Sequence, residues 1–297
     1  MPEGKIIKAL SGFYYVLDES QDKIIQCRGR GIFRKNKITP LVGDYAVYQA
    51  ENDKEGYLLE IKERTNELIR PPISNVDQAV LVFSAVQPAF STSLLDRFLV
   101  LVEANGIHPI ICITKMDLAA DGESKEAILS YVKDYQAIGY DVYVTSSKEN
   151  SGLTGIVKHF ENKTTVFAGQ SGVGKSSLLN AISPELELKT NEISTHLGRG
   201  KHTTRHVELI HTSGGLVADT PGFSSLEFTG IEEEELGSTF PEIREISASC
   251  KFRGCLHLKE PKCAVKQAVE EGEIQPYRYE HYKEFMQEIK EKAEVLI

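Results

Sequence analysis

The sequence lacks the features that place a protein in or across a membrane. No apolar run in its 297 residues approaches the ~20 needed to span a bilayer. No charged head at the N terminus is followed by the apolar segment of a secretory signal. Its five cysteines are an odd number, unsuited to a full disulfide framework. We therefore expect a chain without a membrane partner that works in the reducing cytoplasm.

A strongly basic balance is also absent. The net charge is −9, whereas recognition of nucleic acid usually shows as a basic domain or patch. The charge is unevenly spread, however, because the stretch from Lys23 to Gly43 holds six basic residues and no acid. Two interpretations of this stretch stay open: the solvated face of a small domain, or a face that contacts RNA.

The first 67 residues are predicted to form a small closed β-barrel. Short β segments alternate there with turn residues, and no convincing helix interrupts them. The OB-fold is the commonest barrel of this kind that binds nucleic acid, and an SH3-like barrel fits nearly as well. The predicted strands are 4–10, 13–17, 23–28, 45–50 and 57–63.

Residues 68–228 are predicted to form an α/β domain, and residues 229–297 a helical domain. Strands that alternate with helices imply a parallel sheet covered on both faces. In the last domain, Tyr279, Tyr282, Phe285, Ile289 and Leu296 recur at helical spacing, which is typical of core packing. The predicted strands are 79–85, 109–113, 141–144, 164–168 and a pair at 207–211 and 215–218 that ends at Asp219, and the helices are 94–103, 125–135 and 176–182.

A phosphate-binding loop lies between a predicted strand and a predicted helix. The run from Gly169 to Ser176 matches GxxxxGK[ST], in which backbone N–H groups and the helix N-terminus face the phosphates. Lys175 should reach the β- and γ-phosphates, and the Ser176 hydroxyl should bind Mg²⁺. The residues predicted to contact the nucleotide here are Gly169, Gln170, Ser171, Gly172, Val173, Gly174, Lys175, Ser176 and Ser177.

A base-reading motif precedes that loop in the chain. The tetrapeptide from Thr114 to Asp117, with Lys115 and Met116 between them, resembles the guanine-reading motif of GTPases. The Asp117 carboxylate can accept two hydrogen bonds from guanine and none from adenine, so the motif predicts GTP. Asparagine is usual at the place of Thr114, and its replacement removes one base contact. A second base loop is predicted at Thr145, Ser146 and Ser147, with the Ser146 N–H on the guanine O6.

Two further segments are predicted to complete the magnesium and γ-phosphate site. Asp219 to Gly222 matches DxxG, in which Asp219 holds Mg²⁺ through water and the Gly222 N–H meets the γ-phosphate. One threonine of the segment 198–204 should complete the magnesium shell. We assign Thr204 to the metal and Thr203 to GTP, and the reverse stays open. The residues expected to act on the γ-phosphate and its metal are Lys175, Ser176, Thr204, Asp219 and Gly222.

The water-positioning glutamine of Ras-like enzymes is missing. Phe223 stands just after DxxG, so unaided hydrolysis should be slow. No catalytic base is evident, because His202 and His206 are as consistent with surface or RNA-facing residues.

A compact cysteine and histidine cluster predicts zinc. Cys250, Cys255, His257 and Cys263 have the spacing C-x4-C-x-H-x5-C, a closed set of four ligands that is typical of one structural Zn²⁺. The alternative is three free thiols and an incidental histidine. Cys27 and Cys112 are isolated in strand-like runs and are expected to be buried.

The order of the motifs indicates a family. The base motif, base loop, phosphate loop, magnesium threonine and DxxG form a circular permutation of the Ras-like order. Together with the runs GQSGVGKSSLLN, DTPGF and CKFRGCLHLKEPKC and the preceding barrel, the chain resembles the bacterial ribosome small subunit-dependent GTPase A family. Some members use a histidine shortly after DxxG, and none lies between Phe223 and Cys250.

The resemblance implies a multidomain architecture with an N-terminal OB-fold, a permuted GTPase domain and a C-terminal zinc domain. It also implies a GTPase that the small ribosomal subunit stimulates during late maturation of that subunit, with 16S rRNA as a partner. We expect a monomer. Two other hypotheses stay open from the residues: a P-loop ATPase or small-molecule kinase, and a zinc RNA-binding protein that uses nucleotide only as a folding ligand.

Overall fold

The computed structural model describes residues 1–52, 54–69, 71–119, 122–145, 152–183, 207–212, 214–222 and 226–295. Side chains are described for the same residues except 32, 34, 219–222 and 295.

An N-terminal barrel forms the first domain. Its elements are β1 (Glu3–Leu10), β2 (Phe13–Asp18), β3 (Lys23–Gly29), α1 (Gly31–Lys35), β4 (Tyr45–Ala50) and β5 (Glu55–Ile61). The strands close in the order β1-β2-β3-β5-β4, and β4 pairs with β1. This is the five-stranded barrel of the OB-fold, so that prediction is confirmed over the SH3-like alternative.

Two details of the barrel differ from the sequence prediction. The short helix α1 lies between β3 and β4, where no helix was expected. The last strand runs from Glu55 to Ile61, whereas its predicted bounds are 57 and 63. The Asn52 side chain accepts hydrogen bonds from the backbone of Lys54 and Glu55, and this tight turn starts the strand early.

A two-stranded segment joins the barrel to the rest of the molecule. It consists of β6 (Glu67–Leu68) and β7 (Ile73–Ser74). The fully buried Asp44 carboxylate accepts hydrogen bonds from Arg64 and from the Ser74 hydroxyl. The buried Asp44 carboxylate, with its hydrogen bonds satisfied, therefore holds the connector against the barrel.

The central domain is a six-stranded sheet in the order β10-β9-β8-β11-β13-β12. Every pair of neighbouring strands in this sheet is parallel except β12 and β13, which are antiparallel. The sheet is therefore mixed, whereas the sequence predicts a parallel sheet. The strand predicted to end at Asp219 continues to Gly222, because it resumes pairing with β11 after a register shift. The strands are β8 (Gln78–Ser84), β9 (His108–Thr114), β10 (Asp141–Val144), β11 (Thr164–Ala168), β12 (Leu209–Thr212) and β13 (Gly215–Gly222).

Helices cover both faces of this sheet. The helices of this domain are α2 (Thr92–Ala104), α3 (Gly122–Ile138), α4 (Leu153–Val157) and α5 (Lys175–Ile182). Val80 and Val82 on β8 belong to the apolar cluster that contains residues of α4 and α5. Leu81 and Phe83 point to the other face, into the cluster that holds α2, α3 and the C-terminal helices. The period of two in the strand thus assigns each residue to one face.

The C-terminal region is helical and docks on α2. Its helices are α6 (Glu233–Leu236), α7 (Pro241–Ser247), α8 (Ala264–Glu271) and α9 (Pro276–Val295). The buried Arg278 on α9 donates to Asp96 on α2 at 2.5 Å and to Glu242 on α7 at 2.7 Å. Tyr279, Tyr282, Phe285 and Ile289 are buried as the helical stripe predicted, and Leu296 lies outside the described residues. None of the described helices has the length and apolarity required to cross a membrane.

Candidate nucleotide-binding site and metal site

The phosphate loop leaves the carboxyl end of the buried strand β11. Gly169, Gly172 and Gly174 all have positive φ, of 137°, 80° and 101°. A Cβ at Gly169 would lie 2.1 Å from the Val82 carbonyl oxygen, so this position tolerates no side chain. The helix α5 begins directly after the loop, which places its positive N-terminal end at the same point.

Lys175 lies across this loop. Its Nζ donates hydrogen bonds to the carbonyl oxygens of Gly169 at 2.8 Å and Gln170 at 2.6 Å. Burial lowers the pKa of the Lys175 ammonium. Ser176 and Ser177 are half-buried in the first turn of α5. The geometry therefore gathers a cation, a helix N-terminus and a glycine-shaped backbone at one place, an arrangement suited to binding phosphates.

Two residues of the base motif contact the phosphate loop. The Thr114 hydroxyl lies 2.5 Å from the Val173 carbonyl oxygen and 3.2 Å from that of Phe83. The Lys115 Nζ donates to the carbonyl oxygens of Gly172 and Gln87, both at 2.6 Å. The sequence predicts that Thr114 belongs to the GTP site and lacks one base contact of the usual asparagine. The structure shows that its hydroxyl links the base motif to the phosphate loop.

The rest of the base motif lies at the end of β9. Lys115 has a φ of 58° and precedes a single 3₁₀ turn, Met116–Leu118, in which Met116 is buried and Asp117 is exposed. At the end of the neighbouring strand, the Thr145 backbone N–H donates to the Ile113 carbonyl oxygen at 2.8 Å. The predicted base contacts Ser146 and Ser147 lie outside the described residues.

The DxxG backbone reaches the phosphate loop through β13. Pro221 pairs with Phe167, and Gly222 pairs with Ala168, the residue before Gly169. The predicted γ-phosphate sensor therefore lies beside the start of the loop, with Asp219 three residues earlier on the same strand. The residues Thr203, Thr204, His202, His206 and Phe223 lie outside the described part of the chain, and their roles stay predictions.

The four predicted zinc ligands come together. Their ligand atoms all lie within 4.8 Å of one another. The Cys250 Sγ is 3.9 Å from the Cys263 Sγ and 3.6 Å from the His257 Nδ1, which is 3.4 Å from the Cys263 Sγ. A tetrahedral zinc ion separates two sulfurs by about 3.8 Å and a sulfur and a nitrogen by about 3.6 Å. The donor set therefore fits Zn²⁺.

Contacts from α9 and from a nearby acid hold this cluster. The Tyr279 hydroxyl donates to the His257 carbonyl oxygen at 2.6 Å, and the Tyr282 hydroxyl donates to that of Leu256 at 2.8 Å. A carboxylate oxygen of Glu260 accepts from the Leu256 backbone N–H. Burial lowers the pKa of His257, which favours the neutral imidazole that binds metal. Cys27 and Cys112 are fully buried in strands, as predicted.

Known protein families match the same two regions of the chain that the structure separates into a barrel and an α/β sheet. A family model described as RsgA GTPase matches residues 61–229, and one described as RsgA N-terminal domain matches residues 3–58. The chain is 82% identical over 294 residues to the small ribosomal subunit biogenesis GTPase RsgA of Bacillus subtilis (strain 168), across 98% of this chain and 99% of that protein. It is 65% identical to the protein of the same name from Geobacillus kaustophilus (strain HTA426), with the same coverage of each chain.

Two solved structures share the whole fold. The crystal structure of YloQ, a circularly permuted GTPase, has 76% identity and a TM-score of 0.87, over 98% of this chain and 96% of that one. The structure of YjeQ from Thermotoga maritima has 36% identity and a TM-score of 0.86, over 97% and 98%. The predicted circular permutation is thereby confirmed. The chain belongs to the RsgA GTPase family and is a GTPase.

Proposed function

We propose that this GTPase binds the small ribosomal subunit and assists its late maturation, and that the subunit stimulates hydrolysis of GTP to GDP and phosphate. The observation that carries the proposal is the full-length similarity to relatives named for small ribosomal subunit biogenesis. Family membership favours this hypothesis over an ATPase, a small-molecule kinase or a non-enzymatic zinc protein.

At the phosphate end of the site, the loop N–H groups and the Lys175 ammonium bind the β- and γ-phosphates. Magnesium, when bound, would supply positive charge to the phosphates. Ser176 and Thr204, or Thr203 in its place, would hold this ion directly, and Asp219 would hold it through water. The pairing of Gly222 with Ala168 supports a role for the Gly222 N–H beside the γ-phosphate.

At the base end, the exposed Asp117 carboxylate accepts hydrogen bonds from guanine. Lys115 and Thr114 hold the turn that carries it against the phosphate loop, so hydrogen bonds link the base site to the phosphate site. Met116, Thr145, Ser146 and Ser147 would line the remainder of the base site.

The RNA contact is assigned to the barrel and the zinc region. Lys23, Arg28, Arg30, Lys35 and Lys37 are all exposed on the barrel. Between the predicted zinc ligands Cys250 and Cys255, the Lys251 ammonium lies 5.5 Å from the ring centroid of the exposed Phe252. Cations with an exposed aromatic ring suit 16S rRNA, because phosphates attract the charges and bases stack on the ring.

The same proposal includes the domain borders, the ions and the working state of the chain. Residues 1–67 form the RNA-binding barrel, 68–228 the permuted GTPase domain and 229–297 the zinc domain. The protein acts as a cytoplasmic monomer with GTP, Mg²⁺ and one structural Zn²⁺ held by Cys250, Cys255, His257 and Cys263.

The test is GTP turnover with and without purified small ribosomal subunits, with large subunits as the control particle. We expect slow turnover alone and at least about tenfold faster turnover with small subunits, a change of about 1.4 kcal/mol in the barrier. Turnover by a Lys175→Ala protein purified in the same way measures the contribution of contaminating GTPases, which is subtracted. Equal turnover with either subunit and with none would overturn the proposed stimulation.

A further inference from the structure

We propose that His108, Asp141 and His159 form a second metal site at the amino-terminal edge of the sheet. This site binds one divalent transition-metal ion such as Zn²⁺. His108 is the first residue of β9, and Asp141 is the first residue of β10. His159 lies in the 3₁₀ turn Lys158–Phe160 that leads into β11. Because parallel strands begin at a common edge, this cluster lies opposite the nucleotide site, which occupies the carboxyl ends of the same strands.

The ligand types and their spacing suit a transition metal. One ring nitrogen of each histidine and one carboxylate oxygen of Asp141 lie within 4.8 Å of one another. Two imidazoles and a carboxylate form a known ligand set for Zn²⁺, with water completing the coordination. Metal bonds of about 2.0–2.2 Å separate such donors by about 3.3–3.5 Å in a tetrahedron. The side chains of His108 and Asp141 are 53% and 42% exposed, so they can close the remaining distance by changing rotamer.

A hydrogen bond between His108 and Asp141 alone does not account for the cluster. The His108 Nε2 lies 3.1 Å from an Asp141 carboxylate oxygen, and this contact would need no third partner. His159 comes from a separate element and is held in place by other contacts. Its Nε2 lies 2.7 Å from the Tyr143 hydroxyl, and its backbone carbonyl oxygen accepts from the Gln78 side chain.

Because Tyr143 engages the His159 Nε2, the Nδ1 of the same ring is the nitrogen that would bind the metal. Metal-binding imidazoles are usually oriented by a hydrogen bond to a neighbouring group. Tyr143 is two residues after Asp141 on β10, so the strand presents a ligand and the group that orients a second ligand on one face. A bound ion would tie the starts of β9 and β10 to the turn before β11. Since β11 ends in the phosphate loop, the ion would stabilise the strand that positions that loop.

The test is calorimetric titration of Zn²⁺ into the full chain after one zinc equivalent has been loaded and counted. The nucleotide is omitted, because its phosphates bind metal ions. We expect a second equivalent to bind to the unaltered chain. The substitutions His159→Gln and His108→Gln should each weaken that second step at least about tenfold, since even the loss of a supporting contact costs that much. The matched control is His211→Gln, an exposed histidine on β12 outside the cluster, which should leave the step unchanged.

Cobalt provides a second readout of the ligands. Co²⁺ added after the first zinc equivalent should give a visible spectrum without a thiolate-to-cobalt charge-transfer band, because this site has no cysteine. The His108→Gln variant should fold normally, since that side chain is more than half exposed. Absence of a second equivalent, its survival in His159→Gln, or its equal loss in His211→Gln would each overturn the proposal.

Discussion

The phosphate loop and the zinc knot, residues 250–263, each gather several polar groups around one point, but they are held in different ways. The phosphate loop follows a strand in the middle of a six-stranded sheet, and its shape comes from three glycines and from backbone contacts. The zinc knot lies between α7 and α8, and its cluster consists of side chains. We therefore expect the sheet to keep the loop in shape, and we expect the knot to depend on a bound zinc ion.

Burial disfavours the charged form in both regions, but the groups that offset this cost differ. In the loop, the Lys175 ammonium has carbonyl oxygens as hydrogen-bond partners. In the knot, burial raises the pKa of the Cys255 thiol to about 12, so the thiolate that binds metal is unfavourable without a cation.

Removal of zinc should have the largest effect. Apparent zinc free energies of about 10–16 kcal/mol can fold a segment with little apolar core. Chelation or Cys255→Ser should therefore unfold the knot and reduce the helical signal in circular dichroism, while GTP binding persists. The control is Cys112→Ser, which alters a buried cysteine of the sheet and should keep one zinc by metal analysis. Equal loss of GTP binding on chelation would show that the knot also supports the nucleotide site.

Lys175→Ala should lower turnover strongly and stability little. The ammonium neutralises charge that develops on the transferred phosphoryl group, and removal of one such stabilising contact costs about 2.7–4 kcal/mol, or about 10²–10³ in rate. Thermal unfolding should change little because the sheet holds the loop. Lys163→Ala, at the opposite end of β11, is the control for a lost positive charge. Turnover within about tenfold of the unaltered protein would remove Lys175 from the assigned role.

Both motifs could be predicted from sequence because their geometry is set over short stretches of chain. Eight residues from Gly169 to Ser176 fix the phosphate loop, and the ligand spacing between Cys250 and Cys263 fixes the knot. The period of two in the strands and the helical stripe on α9 likewise indicated which residues are buried.

The contacts that hold these motifs in place could not be predicted, because they join distant parts of the chain. Thr114 and Val173 are 59 residues apart, and Asp96 and Arg278 are 182 apart. The extension of β13 to Gly222 has the same origin, since pairing with β11 decides where that strand ends. A single sequence reports local spacing, and it contains no signal for such pairings.

Thr114→Val should weaken GTP binding moderately. Valine keeps the shape of threonine but leaves the buried Val173 carbonyl oxygen without this hydrogen bond, at a cost of about 1–3 kcal/mol. We therefore expect nucleotide affinity to fall by about tenfold or more, measured by titration with a fluorescent GTP analogue. Thr114→Ser keeps the hydroxyl and should bind nearly as the unaltered chain does. If valine and serine variants bind GTP equally well, the link between base motif and phosphate loop has no energetic role.

Tyr282→Phe should have the smallest effect and gives the sharpest test of the comparison. The Tyr282 hydroxyl donates to the Leu256 carbonyl oxygen within the knot, and its loss should cost about 1 kcal/mol of unfolding free energy in the zinc-loaded protein. Tyr45→Phe, at an exposed barrel tyrosine, should cost little, because water hydrates that hydroxyl. If the knot folds only around its ion, the cost of Tyr282→Phe should vanish after chelation, since the contact is then absent in both proteins. Denaturant unfolding of both variants, with and without zinc, measures this coupling. An equal cost with and without zinc would mean that α9 holds the knot in shape by itself, as the sheet holds the phosphate loop.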